Sequence, residues 1–480
     1  MALSVRAVDQ YVLDMELRMP FHFGSTTLTK LPHLFVAVEL GGDDAGATGV
    51  AAEGLSPLWF LKDPGVTFAD GLDRTLEVID AAVEFAGSIE AETVFEFWTS
   101  LYERQREWAA DTDHPPLLWS FGVTLVERAV IDAFCRSRGT TFADAVSENA
   151  LGIELGTIYD ELAGAEPATY LPTEPRRSTA VRHTVGFTDP LTDADLEADD
   201  RLDDGLPQTL EAYVREQGVS YFKVKLTGDV DADAGRLAEL STVLADATDD
   251  EYVVTLDANE QYGDAASFRR DWEQLVASSA TDDLLDALLY VEQPLARGDA
   301  LSDATKRTFA GWDDRPPIII DESDGRLRSL ERALECGYAG TSHKNCKGVF
   351  KGIANACLLE HRRRENPNRA YVISGEDLST VGPVSLLQDL AVMATLGKAH
   401  VERNGHHYFR GASMLPAHTQ SALLTSHDDL YRQHDRGFPT LAIEDGSIDL
   451  GSVVDAPFGY GFDVELEQYT PRSDWAFDPS

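Results

Sequence analysis

The sequence predicts an α/β fold: a modified, TIM-like (β/α)8-type barrel with an α+β capping domain. Three observations carry this reading. From about residue 176 onward, short apolar runs alternate with amphipathic helical stretches, the pattern of a parallel sheet buried on both faces. Charged residues at the ends of successive runs are spaced like barrel units: Lys225 to Asp257 is 32 residues, Asp257 to Glu292 is 35, Glu292 to Asp321 is 29 and Asp321 to Lys344 is 23. A barrel of about 250 residues uses roughly 30 per unit. No glycine-rich phosphate fingerprint follows any of the runs, which disfavours an open doubly wound sheet.

Residues 1–165 read as the capping domain. "SVRAVDQYVLDMEL" alternates like a strand and "HLFVAVEL" reads as its hairpin partner. Between them "RMPFHFGSTTLTKLP" reads as a long loop, and "GLSPLWFLKDPG" as a second loop that exposes Trp59 and Phe60. Three amphipathic helical stretches follow, ending with "WSFGVTLVERAVIDAFCRSRG". A turn-rich linker, "AGAEPATYLPTEPRRS", leads into the barrel at 176–409, whose runs include "STAVRHTVGF", "YFKVKL", "YVVTLD", "ALLYVEQ", "PPIIIDE", "AGTSHK" and "AYVIS". Residues 410–480 are expected to pack back on the capping domain.

Composition narrows the class. The net charge is −43 over 480 residues, yet 43% of residues are hydrophobic, so the chain is not a disordered acidic polymer. The acids are spread along the whole length, as in "TDADLEADDRLDDG", and such a surface repels itself unless salt screens it. The expectation is a salt-adapted, halophilic, cytoplasmic protein that forms a homo-oligomer. Nucleic acid and anionic membranes are disfavoured partners. No apolar run approaches about 18 residues and "MALSVRAVDQ" has no signal-like apolar core. Cys135, Cys336, Cys346 and Cys357 form no CxxC pair and are expected to be reduced and buried.

The lysines point to chemistry. The chain has nine Lys against 31 Arg, and five of the nine sit in two short stretches, "YFKVKL" and "SHKNCKGVFK". Three successive runs end in carboxylates, Asp257, Glu292 and Asp321. A single strand-end acid can simply cap the following helix. Three facing one barrel mouth would repel one another unless a cation sits between them, and hard oxygen ligands suit Mg²⁺. Alternation puts Lys223 and Lys225 on one face, so both can point into the barrel.

Lys-x-Lys, then Asp in "DANEQ", Glu in "EQP", Asp in "DES" and a further Lys resemble the enolase superfamily, in its muconate-lactonising branch within the mandelate racemase/muconate lactonizing enzyme family. The resemblance covers most of the chain. It implies that Asp257, Glu292 and Asp321 hold Mg²⁺, that Lys225 and Lys344 are acid/bases on opposite faces of a small carboxylate substrate, that Lys223 helps hold the substrate carboxylate, and that Asn259 and Glu322 support the ligands. "KNCKGVFKG" departs from the family's usual Gly-Gly turn and keeps Lys347 open as the second acid/base. "RAYVISGED" lacks the His of the mandelate-racemase branch, and "HVERNGHHYF" lacks the Asp-x-Asp of dipeptide epimerases. His22, Trp59 and Lys62 on the cap, together with Glu376 and His406, are further substrate-contact candidates. The implied activity is α-proton abstraction through an enediolate, leading to racemisation, epimerisation or cycloisomerisation. The alternatives are an acid-sugar dehydratase or succinylbenzoate-synthase-like lyase, and a non-catalytic relative.

Overall fold

A computed structural model describes residues 3–23, 26–248 and 251–478. The N-terminal sheet is built on a long hairpin, β1 (Leu3–Phe23) and β2 (Thr26–Gly42), extended by β3 (Thr48–Gly54) and the two-residue β4 (Glu90–Ala91). The stretch expected to be a loop is therefore strand on both sides. Thr27 and Thr29 are β-branched and favour the pleat. Pro20, which lacks a donor, falls in the register irregularity between Glu16 and Phe21, where the ladder does not need one.

The second expected loop also differs. Pro57 opens a short helix α1 (Pro57–Phe60), and Trp59 and Phe60 are buried rather than exposed. Phe60 packs on Phe121, with ring centroids 4.9 Å apart. Helices α2 (Phe68–Ala86), α3 (Val94–Ala109) and α4 (Pro116–Arg138) complete this part. α4 is buried along Leu117–Cys135, the charged Glu127, Arg128 and Asp132 included, because β2, β3, α2 and α3 all pack against it.

A short α5 (Phe142–Ser147) and three 3-10 turns lead into the barrel. Its eight parallel strands are β5 (Ser178–Val185), β6 (Tyr221–Lys225), β7 (Val253–Asp257), β8 (Leu288–Glu292), β9 (Ile318–Ile320), β10 (Gly340–His343), β11 (Val372–Gly375) and β12 (His400–Arg403). β12 pairs with β5 and closes the ring. Between the strands run α6 (Leu210–Gln217), α7 (Val230–Ala247), α8 (Ala265–Val276), α9 (Asp282–Asp286), α10 (Asp303–Ala310), α11 (Ser329–Cys336), α12 (Val349–Glu365) and α13 (Ser385–Thr395). The fold is thus a (β/α)8-type barrel preceded by an α+β region.

Two features of this frame place the site. α4 reaches across to the barrel, where Glu127 accepts from the backbone N–H groups of Val349 (3.1 Å) and Phe350 (2.8 Å) and so caps the start of α12, just after Lys347. On β10, His343 turns outward against α12: a side chain at Gly352 would lie 2.2 Å from the His343 ring, so only glycine lets strand and helix close up there. With His343 outward, Lys344 is left to face the barrel mouth. After the barrel, Thr470–Pro471 pairs with β1 and Ser447–Asp449 runs antiparallel to β5. Among the described residues no helix is long and apolar enough to cross a membrane, and all four cysteines are free and buried.

Candidate active site

The ladder puts three of the predicted residues at one level: Lys225 pairs with Asp257 and Asp257 with Glu292 across β6, β7 and β8. Asp321 follows β9 and Lys344 follows β10, so the row runs Lys225, Asp257, Glu292, Asp321, Lys344 around half of the barrel mouth. Lys225 Nζ donates to Asp257 Oδ2 at 2.6 Å and Lys344 Nζ to Asp321 Oδ2 at 2.7 Å. All five lysines of the two sequence stretches are buried.

Lys223 sits deeper than a residue that only meets substrate. Its ammonium is 3.0 Å from Asp257, 2.9 Å from Glu292, 2.6 Å from Glu376 and 3.1 Å from Glu402. Burial pulls its pKa down, but these four carboxylates outweigh burial and hold it well above the usual lysine value. Below it lies an ion pair between Arg182 of β5 and Glu376, both fully buried. Arg182 also donates to Ser374 Oγ (3.0 Å), the Gly375 carbonyl (2.9 Å) and His400 Nδ1 (2.7 Å). Burial and then Arg182 push His400 down to about 3, so its ring is neutral and can accept that bond. Sequence reasoning missed Arg182 and Glu402. The available signal was a charged residue inside an apolar run, in "STAVRHTV" and "HVER".

Each predicted metal ligand has a different set of partners. Asp257 Oδ1 accepts from the Asn259 N–H, and Asn259 in turn donates to Glu322 at 3.2 Å. Asp321 is held by Lys344, by Ser342 Oγ (2.5 Å) and by Lys347 (2.6 Å), and Gln293 accepts from its backbone N–H at 2.7 Å. Burial raises the Asp321 pKa, but Lys344 and then Lys347 reverse this and drive it well below the carboxylate range. Glu292 has no such support. Lys223 lies near it but off a hydrogen-bond direction, so both Glu292 oxygens are buried without a donor. Burial, then Asp257 and Glu376, push its pKa well above the usual value. Glu322 is pushed up to about 7, mainly by burial and next by Asp321. The backbone after these acids is strained, with positive φ at Asn259 (38°) and Gln293 (35°), a cost found where surrounding structure fixes a site.

The donor set fits a hard divalent cation: three buried carboxylates, one of them without a proton donor. Their donor atoms do not all lie within 4.8 Å of one another, and the Lys223 and Lys344 ammoniums lie close to them. Among the described residues, the group of three ligand-type side chains with all donor atoms within 4.8 Å is a different one, Glu161, His361 and Glu365 near the surface. There Arg362 already pairs with Glu161 at 2.9 Å.

The mouth opens into a pocket of about 440 Å³, counting space open to solvent. Lys223, Lys225, Asp257, Asn259, Asp321, Lys344, Glu402 and Trp59 all line it. The Trp59 face lies 5.1 Å from Lys344 Nζ, within cation–π range. Other candidates lie elsewhere. Lys347 turns back to the Asp321 and Ser342 carbonyls and is absent from the lining. Lys62 donates to the Asn259 carbonyl at 2.6 Å, tying the cap to the barrel. His22 bonds Thr27 within its own hairpin. His406 packs against His183 (3.1 Å between ring nitrogens) and Tyr213, and burial holds it near 3, so it is a neutral core histidine. Glu376 lies beneath the lining, on Lys223 and Arg182.

No protein-family model and no curated protein matches the chain. Solved structures match over nearly its whole length. An enolase from Bradyrhizobium, complexed with magnesium and mandelic acid, is 13% identical, with TM-score 0.58 over 98% of this chain and 99% of its own. A muconate lactonizing enzyme from Pseudomonas fluorescens, complexed with muconolactone, is 16% identical, with TM-score 0.57 over 98% and 99%. A mandelate racemase/muconate lactonizing enzyme from Bordetella bronchiseptica is 15% identical, with TM-score 0.58 over 96% and 98%. The chain therefore shares the architecture of the mandelate racemase/muconate lactonizing enzyme-like proteins of the enolase superfamily.

Proposed function

We propose that this protein is a Mg²⁺-dependent isomerase of the enolase superfamily that removes and returns the α-proton of a carboxylate substrate. The observation that carries this is the row of strand ends: two lysines, Lys225 and Lys344, flank three acids and line one pocket. A proton α to a carboxylate is very weakly acidic, and its removal needs stabilisation of the enediolate that develops. Asp257, Glu292 and Asp321 would hold Mg²⁺, which supplies that positive charge when bound. Lys225 and Lys344 are the groups that take and deliver the proton, one on each face of the α-carbon. Asn259 and Glu322 brace Asp257, while Lys347 and Ser342 brace Asp321. Trp59 covers Lys344 and limits its contact with water. In the same reading, 1–165 is the capping domain, 176–409 the catalytic barrel, and 410–480 a segment returning to the cap.

Calorimetry tests the metal assignment. The wild-type protein should bind one Mg²⁺ per chain. Glu292→Gln should weaken binding at least about tenfold, the scale seen even for groups that only support a metal ligand. A wild-type protein that binds no Mg²⁺ while folded would remove the metal from the proposal.

We also propose salt adaptation, on the net charge of −43. Unscreened self-repulsion weakens the fold in dilute buffer. Thermal melts should shift upward between low-salt buffer and molar KCl, and an unchanged or lower midpoint would count against the idea.

A further inference from the structure

Far from the barrel mouth, one group of side chains among the described residues has the composition and spacing of a metal chelate. His361 and Glu365 stand four residues apart in the last turns of α12, so they project from one face of the helix. Glu161 meets them from the 3-10 turn Asp160–Leu162, in the segment that leads into the barrel. His361 Nε2 lies 3.6 Å from Glu161 Oε2 and 3.5 Å from Glu365 Oε1. These distances exceed the usual hydrogen-bond range, which ends at about 3.2 Å. They match ligands that share an ion, since two atoms about 2.1 Å from a tetrahedral centre are roughly 3.4 Å apart. A proton on Nε2 would be drawn to one oxygen and shorten that contact, whereas the two contacts are nearly equal.

The surroundings aim the three groups at one point. The Tyr170 hydroxyl meets His361 Nδ1 at 3.3 Å, and the two rings pack edge to face. A partner on the far nitrogen is what orients the ring of a metal-bound histidine. Arg362 approaches the opposite oxygens, Glu161 Oε1 at 2.9 Å and Glu365 Oε2 at 4.0 Å. It therefore orients both carboxylates without covering the oxygens that face His361. Two carboxylates against this one guanidinium leave a net attraction for a cation. The Glu161 and His361 side chains are about a quarter exposed and Glu365 about half, so an ion can enter and water can complete its shell.

We infer that Glu161, His361 and Glu365 form a site for a divalent transition ion of the Zn²⁺ class, which clips the segment entering the barrel to the end of α12. An imidazole with two carboxylates suits Zn²⁺, whereas Mg²⁺ prefers an octahedron of oxygens. α12 begins just after Lys347, so the clip anchors the far end of a helix whose near end Glu127 caps. None of the three residues lines the barrel mouth, and the site stands or falls independently of the α-proton reading.

Zinc titrated calorimetrically into chelator-treated protein, with Mg²⁺ in excess, should occupy one site per chain. Glu292→Gln, which breaks the acid set at the mouth, should keep that site. His361→Ala and Glu365→Gln should each weaken it at least about tenfold, a factor that even groups supporting a ligand can reach. Thermal melts give a second readout: zinc should raise the midpoint of the wild type and of Glu292→Gln, and leave that of His361→Ala unmoved. A single zinc that is lost in Glu292→Gln and kept in His361→Ala would place the ion at the barrel mouth and overturn the inference. Several weak ions per chain, indifferent to His361→Ala, would be the general attraction of an acidic surface and would overturn it as well. So would a wild-type protein that binds no zinc.

Discussion

Replacing either Lys225 or Lys344 with alanine is expected to slow racemisation of the substrate by about 10³-fold, with the fold intact. The figure follows from what one positioned acid/base contributes, roughly 10²–10⁴. The two variants should not look alike in D₂O. Each retains one lysine, so each should still wash deuterium into one enantiomer, and the enantiomer should differ between them. Loss of 1,1-proton transfer together with retained one-sided exchange is the signature of two bases on opposite faces. Lys347→Ala serves as the control for register. Its ammonium holds Asp321 from behind and does not line the pocket, so it should lower Mg²⁺ affinity and stability more than it alters the enantiomer preference of exchange. Should Lys344→Ala turn over normally while Lys347→Ala is inert, the second base has been placed three residues too early.

The second large effect concerns the layer under the site. Arg182→Met should cost about 3–5 kcal/mol of stability in chemical denaturation, the range for breaking a buried pair and stranding its partner. Glu376 would be left with Lys223 as its remaining cationic partner, and the Ser374 and His400 bonds of Arg182 would vanish with it. The double variant Arg182→Met/Glu376→Met should be less destabilised than the single one, because it leaves no uncompensated charge at that point. A single variant as stable as wild type would show that the pair is dispensable.

How much of this could be read from the sequence depended on whether the signal was local. A barrel strand buried on both faces is an unbroken apolar run, so a charge at its end stands out, and Lys225, Asp257, Glu292, Asp321 and Lys344 were visible for that reason. Contacts across the barrel have no such local mark. Arg182 and Glu376 are 194 residues apart, and their pairing depends on ring closure between β12 and β5. Composition misled twice in the cap. Residues 18–32, with their run of hydroxyls, look like loop, yet threonine fits a strand as well as a turn. Trp59 and Phe60, flanked by prolines, look exposed, but the short helix they form turns both inward. His406 is a contact candidate in the sequence because histidine is often chemical, whereas its neighbours Tyr213 and His183 make it part of an aromatic core.

The burial of five of the nine lysines also changes how the folded protein meets reagents in solution. An acylating reagent such as an activated ester attacks amines it can reach. On the native protein the accessible side chains reduce to Lys62 and Lys306, which are exposed, and Lys30 and Lys398, which are partly so. Unfolding uncovers the other five together. Mass spectrometry of acyl adducts should therefore show a step of about five labels as the barrel opens, which makes lysine acylation a counting assay for the integrity of the barrel.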